Sequence, residues 1–209
     1  MYDTETRASA QTTVIQRHPI VSGAVLGLGW GVAMRAWMRF ISADPEFSWS
    51  GTLFILGASV ICGTVLGLAW HRRAVGGAGW WRLSFGSLAL LGAGGAVMWP
   101  AVILGAIALG RPRPAWLRAL LGVGAIASQV PVIGGIADNW RFDVGDVILA
   151  SVWYAPMLAF EMWAFSVAFR PSIDGSRLPA RIRNVLIAAG VPVVGLIFLS
   201  TVGFGGSDM

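Results

Sequence analysis

Residues 20–41 read IVSGAVLGLGWGVAMRAWMRFI, and residues 52–70 read TLFILGASVICGTVLGLAW. Neither run contains an acid, and the only charges are Arg35 and Arg39, in the outer third of the first. An α-helix rises about 1.5 Å per residue and hydrocarbon is about 30 Å thick, so roughly 20 apolar residues cross it. Runs of the same kind cover 117–137, 146–169 and 184–204. A sixth apolar segment, 83–110, is broken near its middle by Trp99-Pro100. The expected fold is all-α: a polytopic transmembrane helical bundle with five clear spans plus the Pro-broken segment. That segment is either a re-entrant hairpin or one long tilted span.

Composition agrees. Hydrophobic residues make up 56% of the chain and charged residues 12%, with mean hydropathy +0.71. Soluble domains carry about 25% charged residues, so there is no room for one beside the membrane part. The division is a cytoplasmic polar tail over 1–19, a single transmembrane helical domain over 20–204 and a short extracytoplasmic tail over 205–209. Arg17 and His18 imitate the start of a signal peptide. The following stretch is longer than a usual signal core and carries Arg35 and Arg39, so it reads as a retained span.

All 15 basic residues are Arg. Without Lys no Schiff base forms, which excludes retinal binding and Lys-dependent covalent catalysis. An all-Arg set suits a GC-rich bacterial genome, so the expected location is the bacterial inner (cytoplasmic) membrane. The single cysteine, Cys62, lies within the second span and reads as a small apolar filler. His18 and His71 flank the first two spans on one face; positions at span ends suit a haem edge poorly.

Orientation follows from arginine. Short Arg-rich loops stay in the cytoplasm. Arg72, Arg73 and Arg82 fall in one loop, Arg111, Arg113 and Arg118 in a second, and Arg170, Arg177, Arg181 and Arg183 in a third. Acids concentrate in the alternate loops, as Asp44 and Glu46, then Asp138, Asp143 and Asp146. All three basic loops are cytoplasmic only if 83–110 enters and returns; the N-terminus is then cytoplasmic too. Each arm is short for a full span, and such backbone needs protein around it. Anionic lipid headgroups are the expected partners of the basic loops, and nucleic acid is not. Trp49, Trp70, Trp80, Trp81, Trp116 and Trp140 fall at span ends as an aromatic belt requires.

Helices in lipid associate by close van der Waals contact, which small residues allow. Gly23, Gly27 and Gly31 step by four along the first span; Ser59, Gly63 and Gly67 do so along the second. The two spans are expected to cross through these ridges, within one chain or across a homo-oligomer. Pro131 and Pro156 are expected to kink their spans and free the carbonyls of Ala127 and Val152.

The candidate ligand- or ion-binding residues are the polar groups inside the spans. Arg39 is near enough to the helix end to snorkel; Arg35 is deeper. Glu161 is the deepest acid, with Tyr154 seven residues before it on nearly the same face. An intramembrane carboxyl is a functional candidate by default: it pairs with Arg35 or holds its proton. Gln129, beside Ser128 and Pro131, is a further polar point that could join Tyr154 and Glu161. In the first outer loop Asp44, Pro45 and Glu46 suggest a short surface helix, with Ser50 capping the second span. The outer acids Asp138, Asp143 and Asp146 admit Ca²⁺ or Mg²⁺, but their spacing matches no calcium loop.

No Walker A, HExxH, Rossmann or GxSxG pattern occurs. No catalytic residue, metal site or cofactor is assigned, and the reading leans away from an enzyme. Three roles remain: a small permease-like or channel-like protein with an intramembrane Arg/Glu site, an accessory subunit of a larger membrane complex, or an embedded lipid-modifying enzyme.

Overall fold

The computed structural model of the chain describes residues 18–42, 48–76, 79–91, 96–138 and 142–171. The apolar run 184–204, both tails, the helix expected around residues 44–47 and Arg177, Arg181 and Arg183 lie outside them. The described elements are α1 (Pro19–Ile41), α2 (Trp49–Val75), a 3-10 segment (Trp80–Leu91), a 3-10 turn (Ala96–Met98), α3 (Trp99–Gly110), α4 (Ala115–Ala127), α5 (Val130–Ala137), α6 (Val144–Phe165) and a closing 3-10 turn (Ser166–Phe169). Four stretches are long and apolar enough to cross a membrane: Pro19–Ile41, Trp49–Val75, Ala115–Ala137 and Val144–Phe169. The chain is an all-α, multi-pass membrane protein.

Local sequence sets the helix ends. Pro19 opens α1, where its missing N–H costs nothing. Ser48, not Ser50, caps α2: its Oγ accepts from the Gly51 N–H at 3.3 Å. The helix therefore starts earlier than hydropathy alone suggests. Gly76 ends it with φ 82°, a value that favours glycine. Asp143 and Asp146 form a reciprocal capping box at the start of α6, with Asp146 N–H to Asp143 Oδ1 at 2.9 Å. That pair is spent on the helix end. No group of three or more His, Cys, Asp or Glu suited to a metal ion occurs among the described residues.

The α1–α2 pair is the tightest in the structure, and it lies within one chain. The helices run antiparallel with backbone against backbone. A Cβ added at Gly23 would land on the Gly63 carbonyl, and one at Gly27 on the Ser59 carbonyl. One at Gly63 would lie 2.7 Å from Gly27 Cα, and one at Gly67 3.0 Å from Gly23 Cα. Contact this close brings Cα–H groups onto carbonyls and gathers dispersion along both ridges.

The segment after α2 doubles back. Phe85 meets Phe165 and Phe169 edge-on, with centroids 6.0 and 5.1 Å apart. At the far end of the same segment, a Cβ on Gly110 would lie 2.9 Å from the Ser166 carbonyl oxygen, and Arg111 Nε donates to the Phe169 carbonyl at 3.1 Å. Both ends thus lie where α6 finishes. The first arm is a 12-residue 3-10 helix. Such runs rarely exceed four residues, but at about 2.0 Å per residue this one reaches about 24 Å, against about 18 Å as an α-helix. Its buried Trp81, Ser84 and Ser87 follow the three-residue period, and Ser87 Oγ meets Cys62 Sγ at 3.4 Å.

Pro131 does not kink a continuous helix. It sits in the first turn of α5, and the chain breaks at Ser128–Gln129 between α4 and α5. Pro156 does lie inside a continuous helix, α6.

Replacing Gly27 or Gly63 by Leu is expected to cost upward of about 3 kcal/mol, because the obstacle is backbone. Gly29→Leu and Gly57→Leu, at positions with nothing within 4 Å among the described residues, should leave stability unchanged. Thermal unfolding in detergent, followed by near-UV circular dichroism, checks both.

Candidate functional site

A cleft of about 630 Å³ opens between α1, α2 and α6. Its lining comes from the first half of α1, the second half of α2 and the last turns of α6. It therefore occupies one half of the bundle, at the end where Arg73, Arg111 and Arg170 lie. Leu26, Leu66, Phe160 and Phe165 supply apolar wall, and Trp30 and Glu161 supply polar atoms.

Glu161 lies on the buried stripe of α6, which runs through Ala150, Tyr154, Met157, Leu158, Glu161 and Phe165. Steps of three and four keep these positions on one face. The residue is 4% exposed. Its Oε2 is buried and has no hydrogen-bond partner among the described residues. Trp30 Nε1 and His71 Nδ1, both on cleft-lining residues, are in the same condition. An ionised carboxylate left unpaired in such a place costs several kcal/mol.

Of the two alternatives for Glu161, pairing with Arg35 is not found among the described residues. Arg35 Nε donates instead to Thr52 Oγ1 at 3.0 Å, and that hydroxyl donates to the Ser48 carbonyl at 2.8 Å. Trp37 Nε1 donates to the Ala150 carbonyl at 3.0 Å, which sets this part of α1 level with Ala150. From Ala150 to Glu161 is about 16 Å of helix axis. Arg39 lies one turn beyond Arg35, at the same end, and is also engaged in a contact.

Gln129 and Tyr154 do come together: the Tyr154 hydroxyl donates to Gln129 Oε1. The Gln129 amide also donates to Ser128 Oγ at 3.0 Å and to the Val97 carbonyl at 3.4 Å. The Tyr154 ring stacks on Trp37 at 4.9 Å. This cluster ties α1, α6 and the two chain breaks at 96–98 and 128–129. It does not include Glu161, about 10 Å further along α6. The five candidate residues thus divide into an arginine pair at one end, a Gln–Tyr link near mid-bundle and a lone carboxyl in the cleft.

The mouth of the cleft is cationic. Arg73 Nε donates to the Pro171 carbonyl at 3.3 Å. The Arg170 guanidinium lies over the Trp70 ring at 4.4 Å. Burial, and then the charge of Arg73, hold the Arg170 pKa below the usual arginine value. Trp70 Nε1 donates to the Ala164 carbonyl at 3.3 Å and its ring stacks on Trp163 at 5.1 Å.

Sequence reasoning missed Trp30, His71 and Trp70 as cleft residues and Trp37 as the partner of Tyr154. One signal was present. Met34 and Trp37 continue the Gly23–Gly27–Gly31 row by steps of three, which holds the buried face, whereas Arg35 and Arg39 continue it by four and leave that face. Comparison with protein-family models, with curated proteins and with solved structures finds no match.

Tyr154→Phe and Gln129→Leu should each cost about 1–3 kcal/mol, since each strands a buried polar partner. The double variant should cost less than the sum of the singles. A double-mutant cycle by thermal unfolding reads the coupling, and additive losses would mean that the two groups act separately.

Proposed function

We propose that the chain is a small permease-like protein of the cell membrane that takes its ligand in the cleft between α1, α2 and α6, with Glu161 as the polar group that meets it. One observation carries this: a buried carboxyl oxygen without a partner beside a cleft of about 630 Å³. Clefts of roughly 300–1,000 Å³ with apolar walls and a few polar groups are the usual form of a small-molecule site. Tyr154 and Gln129 hold α6 and the α4–α5 break in place around it. Arg35 and Arg39 serve the opposite end, where Arg35 anchors the start of α2.

The return of residues 80–110 to their starting end supports a re-entrant hairpin. With the arginine bias it favours a cytoplasmic N-terminus and a cleft that opens toward the cytoplasmic leaflet.

An accessory subunit is the second reading. It is favoured by the outer face of α4 and α5, where Gly122, Gly134 and Gly135 have nothing within 4 Å among the described residues. Such bare small residues suit close approach by another helix. The α1–α2 glycines no longer support it, because that ridge is used inside the chain.

Native mass spectrometry of protein purified in mild detergent separates these readings. Wild type should carry a small-molecule adduct. Glu161→Gln should lose about 1.4 kcal/mol or more of its binding, a ten-fold drop in occupancy, with an unchanged melting temperature. Equal occupancy in both proteins removes Glu161 from the site; a co-purifying protein in place of a small adduct supports the subunit.

A further inference from the structure

The arginines at the cleft mouth do more than cap helix ends. Arg73 comes from the last turn of α2, Arg111 follows α3 and Arg170 follows the closing turn of α6. Each uses its Nε on a neighbour: Arg73 on the Pro171 carbonyl, Arg111 on the Phe169 carbonyl and Arg170 on Ser166 Oγ at 3.4 Å. A guanidinium has five N–H donors, so the terminal nitrogens of each remain for another acceptor. The described carboxyl groups are elsewhere. Asp138, Asp143 and Asp146 lie at the opposite end of the bundle, and Glu161 is about 13 Å along the helix from Arg170. Like charges gathered without a carboxylate among the described residues suit an anion. The anion must also suit a place beside lipid, because Arg73, Trp70 and Ala74 line the mouth of an apolar cleft.

We propose that Arg73 and Arg170, with Arg111 beside them, bind the phosphate of an anionic glycerophospholipid whose acyl chain enters the cleft mouth along Trp70 and Ala74. Guanidinium forks fit phosphate oxygens in bidentate fashion. His71, whose Nδ1 is buried without a partner among the described residues, precedes Arg73 by two residues, about 3 Å along α2. The lipid would join α2 to α6. At this end those helices touch through side chains: Trp70 against Trp163, the Ala164 carbonyl and Arg170, and Arg73 on the Pro171 carbonyl. The site is separate from Glu161, which meets its own ligand deeper in the cleft. Shared chemistry leaves two sources for the phosphate, a lipid headgroup or free inorganic phosphate, and the test distinguishes them.

Full-length protein in a neutral detergent is titrated with phosphatidylglycerol, phosphatidylcholine or sodium phosphate. Native mass spectrometry reads retention, and thermal unfolding reads stabilisation. Phosphatidylglycerol should be retained about ten-fold more strongly than phosphatidylcholine, a difference of the size expected for charge-assisted bonds. It should raise the melting temperature, and inorganic phosphate should not displace it. The double change Arg73→Ala with Arg170→Ala should remove the preference; Arg73→Lys with Arg170→Lys, which keeps the charge, should retain part of it and guards against a folding defect. Phosphatidylglycerol with a photoreactive acyl chain should label peptides containing Trp70 and Trp163. Three results overturn the proposal: equal retention of both lipids, a preference that survives the double alanine change, or labelling confined to outward faces such as those of Leu53 and Ile148. Displacement by inorganic phosphate makes the site one for a free anion and overturns the lipid assignment.

Discussion

Helices dissolved in lipid gain nothing from leaving it for one another, because acyl chains are as apolar as leucine. Something else must hold the bundle, and in this chain it is the backbone contact of α1 with α2. Glycine at Gly23, Gly27, Gly63 and Gly67 lets the two main chains touch where any side chain would collide with a carbonyl or a Cα. Once joined, the two helices act as a slab. One flank offers Met34 and Trp37 from α1, against which α6 packs. The other offers Cys62, against which the 3-10 segment packs through Ser87. Every later described element rests on one of those flanks or on an element that does.

The interior must also satisfy its polar groups, since no water is at hand. Hydroxyls on the spans do so locally: Ser59, Thr64 and Ser151 each donate to the carbonyl four residues back, at 2.7, 2.8 and 2.7 Å. The breaks need longer reach. Gln129, placed at one break by Pro131, extends to the Val97 carbonyl at the other and accepts from Tyr154. One amide thus serves two interruptions and a third helix. Against that background the atoms of Trp30, His71 and Glu161 that lack partners among the described residues stand out, because all three belong to one cleft.

Much of the fold was legible. Hydropathy located four of the long apolar helices, and the four-residue glycine steps identified the α1–α2 contact and its antiparallel partner ridge. The 3-10 geometry of Trp80–Leu91 was not expected, although Trp81, Ser84 and Ser87 carry its three-residue period; an apolar run of that length fits an α-helix equally well. The Arg35–Glu161 pairing failed for a physical reason. Sequence gives the identity of charges inside spans but not their relative height, and a hydroxyl at Thr52, placed by the antiparallel register, satisfies Arg35 before any carboxyl is reached. Gln129 and Tyr154 were identified as polar points, yet their meeting depends on how far the α4–α5 break turns the chain, which hydropathy does not encode. Glu161 was legible because it is charged; the cleft beside it was not, because a cleft is a relation among three helices.

The position of that cleft follows from where the large aromatic side chains fall. Toward the ends of α1 and α2 that meet at Ser48, the space between α1 and α6 is filled: Trp37 stacks on Tyr154, and Phe40 lies 5.8 Å from Phe142 and 6.3 Å from Trp153. Toward the arginine end, α1 lines the cleft with Ser22, Gly23 and Gly27 beside the larger Leu26 and Trp30. The same glycines that draw α1 against α2 also line the cleft and add no side chain to it. Trp70 of α2 reaches Trp163 of α6 at this end. Small residues therefore have two effects here: they make the slab, and they leave part of the cleft wall without side chains. A leucine in place of Ser22, which lines the cleft, would narrow it further, so its width depends on the side chains of this flank.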